Sequence, residues 1–260
     1  GLLMSSRGTG LTLMLGIISA FIAYILWTMA MGMDTKVDDI TTILQNSASG
    51  SGNITISMIL IGIGLTVHGA GLMSTKGTAA GTWESLGIVA IIAAIIIWIT
   101  STGLAISLAE MGEKFVAAAA GGAQAAAAAQ AAAAAGDAAT ASAAGAQAVA
   151  AATDARSIVV AGGYTQAVNV AVNSLGQLLA GIGWFSLGMA YRGSDAKGAI
   201  NIPLGLHALV IGLILIVSQL GAAIDVWSIE MGSTIGGLGF LLIVLWSVNR
   251  GMALINANAK

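Results

Sequence analysis

Ser57–Gly112 reads SMILIGIGLTVHGAGLMSTKGTAAGTWESLGIVAIIAAIIIWITSTGLAISLAEMG, two apolar runs joined by the short polar loop Thr75 to Thr82. Between Ser57 and Ala109 the only charged residues are Lys76 and Glu84, both at that loop. The flanking runs, Ile54 to Ser74 and Leu86 to Ala109, each reach the roughly 20 residues that cross a hydrocarbon core about 30 Å thick. The stretch therefore reads as a transmembrane helical hairpin. Its landmarks return further on: Gly62-Ile63-Gly64 with Gly69 as Gly181-Ile182-Gly183 with Gly188, and Glu110-Met111-Gly112 as Glu230-Met231-Gly232. Both matches fall about 120 residues apart, the mark of a duplicated unit.

Composition extends this reading to the whole chain. Of 260 residues, 57% are hydrophobic and 8% charged, with a mean hydropathy of +0.94. A soluble domain carries about 25% charged residues, so this chain cannot present a wetted surface on all sides. Without cysteine, disulfides, thiolate metal sites and cysteine nucleophiles are excluded. Two histidines leave little for a metal centre, and a net charge of -2 with no Lys/Arg run gives no footprint for nucleic acid.

Taken in order, residues 1–10 read as a tail and Leu11 to Met33 as the first span. Asp34 to Asn53 reads as an acidic loop whose Ser47-Ala48-Ser49-Gly50-Ser51-Gly52 end has the composition of a flexible linker. After the central hairpin, Val116 to Thr153 is nearly all alanine, with Asp137 its single charge. Alanine is the best helix former but inserts weakly into membranes, so the expectation is a helical hairpin outside the bilayer, broken near Gly136-Asp137. Ser157 to Thr165 reads as a link. Gln166 to Tyr191, Ile202 to Ile224, and Thr234 to Val248 with an extension to Ile255 are the last three spans. Pro203 opens the fifth, where a missing N–H costs nothing. The fold class expected is an all-α integral membrane protein of six transmembrane helices, with a tandem, parallel hairpin repeat and an Ala-rich extramembrane helical insert. Its segments divide as 1–112, 113–165 and 166–260.

Orientation follows from charge. Six spans with both termini inside gather Arg7, Lys76, Arg192, Lys197, Arg250 and Lys260 on one side, leaving Lys36, Lys114 and Arg156 on the other. Of the acids only Glu84 and Asp195 fall inside. The Lys/Arg excess predicts cytoplasmic termini and an Ala-rich segment on the outer side. Aromatics fit an interfacial belt, with Trp83, Tyr191 and Trp246 at the inner boundary and Tyr164 and Trp227 at the outer. In this orientation the two hairpins are parallel, unlike the inverted repeats of many secondary transporters.

Polar groups inside a bilayer are costly and so mark candidate sites. Thr100, Ser101 and Thr102 in the third span share a depth with Ser218 and Gln219 in the fifth. Asn173 and Gln177 lie four apart on the fourth. Thr100, Ser101, Asn173, Gln177 and Gln219 could line a polar path; the competing account is interhelical hydrogen bonding. His68 and His207 could form a proton relay or half a metal site, but neither has a carboxylate at i±3 or i±4 to orient it. Glu110, Glu113, Asp225 and Glu230 form an acidic set at outer helix ends, read either as solvated termini or as a cation-attracting rim. Gly62, Gly64, Gly69, Gly181, Gly183 and Gly188 have spacings that let helix backbones touch.

No set of residues suited to acid-base, nucleophilic or metal chemistry assembles from the sequence, and no cofactor is expected. The function expected is a non-catalytic subunit that packs through Gly/Ala-rich faces against membrane lipids and other membrane protein subunits or copies of itself. A transporter or channel for a small solute or ion is the alternative.

Overall fold

The computed structural model describes residues 4–79, 81–193 and 197–257. Among them the regular structure is helical: α1 (Ser6–Met31), α2 (Ile40–Ser49), α3 (Ser51–Ser74), α4 (Gly81–Ala134), α5 (Ala138–Tyr191), α6 (Leu204–Ala223) and α7 (Ile229–Asn256). All but α2 are long and apolar enough to cross a membrane, so the chain is a multi-pass helical membrane protein. Asp195 and Lys260, both counted in the charge argument, and Ala80 of the first hairpin loop lie outside the described residues.

The chain forms two compact units. The first comprises residues 1–26, 57–103 and 170–260. Its helices alternate in direction. Ser6 donates its hydroxyl to Leu254 O at 2.8 Å, and Thr78 and Tyr191 share a hydroxyl–hydroxyl bond of 2.9 Å. Ile200 N–H donates to Asn249 Oδ1 at 2.8 Å. These bonds bring the start of α1, the α3–α4 loop, the end of α5, the approach to α6 and the end of α7 to one end of this unit. Lys76 and Arg192 therefore share an end.

Near that end, Trp184 and Trp246 pack edge to face with centroids 4.9 Å apart. Tyr191 stands 6.3 Å from Trp246, whose indole N–H donates to Leu204 O at 3.0 Å. Trp246 is 0% and Tyr191 3% exposed, so both belong to the core rather than to the interfacial belt expected of them. Their polar tips find partners inside the protein, which removes the need for an aqueous boundary. Trp83, at 45% exposed, keeps a surface position.

Two expectations about the first span are corrected. The tail of residues 1–10 is helical from Ser6, because it is docked: a Cβ on Gly10 would stand 3.2 Å from Leu254 Cβ, so α1 and α7 touch there. The helix ends at Met31, two residues before the expected Met33, and Gly32 turns the chain at φ 84.

The second unit comprises residues 27–56 and 104–169. Here the expected flexible linker is overturned, since Ser47 to Gly52 falls in α2 and α3 with a break at Gly50 alone. Asp39 starts α2 by accepting from Thr42 N–H at 3.2 Å and from the Thr42 hydroxyl at 2.7 Å. Ile40, Ile43 and Leu44 recur at helical spacing, and Ile43 and Leu44 bury against Leu108. Phe115, Met111, Ile158 and Val159 of α4 and α5 complete the cluster. Burial of this stripe, absent from a composition-based reading, is what orders the segment.

The third and fourth spans are parts of longer helices. α4 and α5 each run 54 residues, about 80 Å at 1.5 Å per residue and more than twice a hydrocarbon core. The link expected at Ser157 to Thr165 is helical within α5. The chain reverses between Ala134 and Ala138, where Gly136 takes φ 77, a left-handed conformation that glycine adopts without strain. Asp137 then caps α5 through Thr140 N–H at 3.0 Å and the Thr140 hydroxyl at 2.6 Å.

Candidate functional site

Several polar residues within the apolar helices of the first unit are hydrogen-bonded between helices. Asn173 of α5 donates its amide to Ser101 Oγ of α4 at 2.7 Å. One turn on, Gln177 donates to Ser218 Oγ of α6 at 2.7 Å. The Ser218 hydroxyl in turn donates to Leu215 O at 3.1 Å, and its carbonyl accepts the Trp227 indole N–H at 2.8 Å. Gln177 also lies against α7: a Cβ on Gly236 would stand 2.5 Å from Gln177 Oε1. Ser101 and Ser218 are buried at 8% and 1% exposed. Thr100, by contrast, is exposed and returns its hydroxyl to Ile96 O of its own helix at 3.0 Å. Gln219 is half-buried on α6. Of the five residues proposed as a path, two are tied by these bonds to serines of neighbouring helices, and one of those serines, Ser101, is itself among the five.

The histidines face different helices. His68 is 1% exposed and its Nδ1 lies 2.9 Å from Leu13 O of α1; a carbonyl only accepts, so Nδ1 carries the proton. His207, 8% exposed, turns toward the Leu242 backbone of α7, yet neither ring nitrogen reaches hydrogen-bond geometry. Among the described residues no group of three or more His, Asp or Glu is arranged to hold a metal ion.

The glycines sort by neighbour. Gly64 meets α1, where a Cβ would sit 2.5 Å from Gly16 O and 2.9 Å from Ala20 N. Gly183 meets α4, at 2.8 Å from Ile91 N and 2.9 Å from Gly87 O. Gly188 and Gly181 meet α6, at 2.6 Å from Leu209 N and 3.0 Å from Ile216 N. Gly69 meets only side-chain tips of α4, the nearest being Ile92 Cδ1 at 3.2 Å. Gly62 meets nothing within 4 Å. It opens instead onto a shallow groove of about 340 Å³ with Ile59, Ile63, Thr66, Val67 and Ile99.

Sequence reasoning passed over two buried polar residues at the end that carries Lys76. Glu84, 4% exposed, accepts Gly77 N–H at 2.8 Å and Ala79 N–H at 3.4 Å, fixing the α3–α4 loop. Its place in the first turn of α4, where an acid is favoured by the helix dipole, was the available signal. Asn249, 0% exposed, holds the segment before α6 by accepting from Ile200 N–H and donating to Ile202 O at 3.1 Å. An asparagine inside an apolar span was the corresponding hint; that Gly198 packs on it is visible only in the structure.

The acids of the outer set are engaged separately. Glu110 pairs with Lys114 at 3.5 Å, the single ion pair among the described residues, and Glu113 accepts from the Ser51 hydroxyl. Asp225 holds a left-handed turn at φ 57, and Glu230 lies in the first turn of α7. Two aspartates outside the spans have lowered pKa values. The Thr42 hydroxyl and amide hold Asp39 below the usual carboxylate value, and those of Thr140 do the same for Asp137.

No family model, no curated protein and no solved structure matches this chain.

Proposed function

We propose that the chain is a non-catalytic subunit of a larger membrane assembly or homo-oligomer, a helical scaffold that packs against other membrane helices. The observation that carries this reading is the pairing of Asn173 with Ser101 and Gln177 with Ser218. Polar groups spent on interhelical bonds rigidify a bundle and are withdrawn from solvating a permeant species. The same pairing weighs against a solute or ion path through Thr100, Ser101, Asn173, Gln177 and Gln219.

Three finer features accompany this reading. The hairpins α3–α4 and α5–α6 are a parallel tandem repeat that has diverged in its contacts, Gly64 serving α1 and Gly183 serving α4. Val116 to Thr153 is an extramembrane insert on the outer side, and both termini are cytoplasmic, as the Lys/Arg excess dictates. The acidic residues at outer helix ends are solvated termini rather than a rim.

Mild extraction and affinity purification of the full chain test the proposal. Stoichiometric co-purifying membrane chains, or a defined multiple of this chain by native mass spectrometry, are expected. A monodisperse single chain that conducts ions or solutes in liposomes would overturn it.

A further inference from the structure

At the end of the first unit that gathers the α3–α4 loop and the end of α7, basic side chains outnumber acidic ones among the described residues. Arg7, Lys76, Arg192 and Lys197 are exposed and Arg250 is half-buried, and none of the five makes an ion pair among the described residues. The one described acid at this end, Glu84, is buried and committed to the Gly77 and Ala79 amides. Arg250 is the most telling. Its Nε is sealed from solvent and has no acceptor, so an outside anion would meet the terminal nitrogens of this half-buried guanidinium, which keeps its charge at any physiological pH. One turn earlier on α7, Ser247 is 0% exposed and its hydroxyl is likewise without a partner.

We propose that this end binds the phosphate of an anionic phospholipid, with Arg250 as the anchoring donor and Lys76, Arg192 and Lys197 as the surrounding positive field. The chemistry matches on three counts. Phosphate oxygens accept the forked N–H groups of an arginine. Four to eight basic residues at the membrane-proximal end of spanning helices are the pattern that recognises anionic leaflets. The basic residues lie in the connecting segments or outer turns of helices long and apolar enough to cross a membrane, where lipid phosphates would meet them. The inference concerns lipid alone and stands whether or not the chain assembles with partners.

Native mass spectrometry of the full chain, incubated with equimolar dioleoyl phosphatidylglycerol and dioleoyl phosphatidylcholine, is the test. Wild type should retain the phosphatidylglycerol preferentially. Arg250→Gln should lower that retention about fivefold, the contribution of one basic residue near an anionic surface, with phosphatidylcholine unchanged. Should Arg250→Gln fail to fold, the exposed pair Lys76→Gln/Arg192→Gln probes the same field and should also lower retention. Lys114→Gln, in the second unit, should leave it intact. Equal retention of the two lipids would overturn the proposal, as would a Lys114→Gln effect as large as that of the Lys76/Arg192 pair. Displacement of phosphatidylglycerol by millimolar inorganic phosphate would overturn the lipid as the source of the anion.

Discussion

Asn173 of α5 and Ser101 of α4 are joined by a 2.7 Å amide-to-hydroxyl hydrogen bond, and Gln177 repeats the arrangement with Ser218 of α6 one turn later. α5 is thereby pinned to both of its sequence neighbours at adjacent levels. A double-mutant cycle on Asn173→Leu and Ser101→Ala should give a coupling of about 0.6 kcal/mol, and no more than about 1.7, in detergent unfolding. If these residues instead line a path, the single substitutions will alter flux in liposomes while the coupling is nil.

Gly183 and Gly62 occupy the matching triplets, yet the structure separates their roles. Gly183→Leu pushes a side chain into the Ile91 and Gly87 backbone, and overpacking of this kind costs about 1–3 kcal/mol. Gly62→Ala meets open space and should leave the isolated chain as stable as before or more so, by up to about 1 kcal/mol, the preference of a helix interior for alanine over glycine. Thermal unfolding of both variants in one detergent checks this, and equal destabilisation would refute the packing account. Substitution of His68 should disturb assembly less than Gly183→Leu.

Lys76 and Arg192 flank the Thr78–Tyr191 bond. Cysteines placed at either position should label with a membrane-impermeant maleimide from the same side, and the expected side is the cytoplasmic one. Labelling from opposite sides would dismantle the six-span reading.

Leu44 is 0% exposed at the centre of the second unit. Leu44→Ala should cost about 2–5 kcal/mol locally, read as faster amide exchange across Ile40–Ser49 and around Leu108. The change should leave exchange in α6 and α7 as it was.

Acid should loosen the two aspartate caps. Asp39 and Asp137 are held below their ordinary value by a pair of bonds, one to each oxygen, that the carboxylate accepts better than the protonated acid. Their folded pKa values are depressed, so the stabilisation is complete above the unfolded value and is lost as pH falls through the folded one. Amide exchange at the first turns of α2 and α5 should therefore rise, beyond the intrinsic pH effect, below about pH 4. Asp39→Asn and Asp137→Asn should abolish that pH dependence while keeping a capped helix start.

The sequence by itself determined that this is a multi-pass helical membrane protein with six stretches long and apolar enough to cross a membrane. Scarce charge and long apolar runs leave a chain no aqueous alternative, and that constraint is local to each segment. It also marked the reversal at Gly136-Asp137, because a left-handed glycine followed by a capping aspartate is a short-range signal. Only the tertiary structure decided which polar groups are spent and which glycines are needed. Asn173 and Gln177 could have faced a pore or a partner helix, and Gly62 and Gly183 look alike in one dimension. What distinguishes them is the neighbour each meets, set by helix rotation and register across residues far apart in the chain. The order of α2, the burial of Trp246 and the sealed Nε of Arg250 have the same origin. Each depends on contacts between segments far apart in the chain, and those contacts leave no periodicity to read.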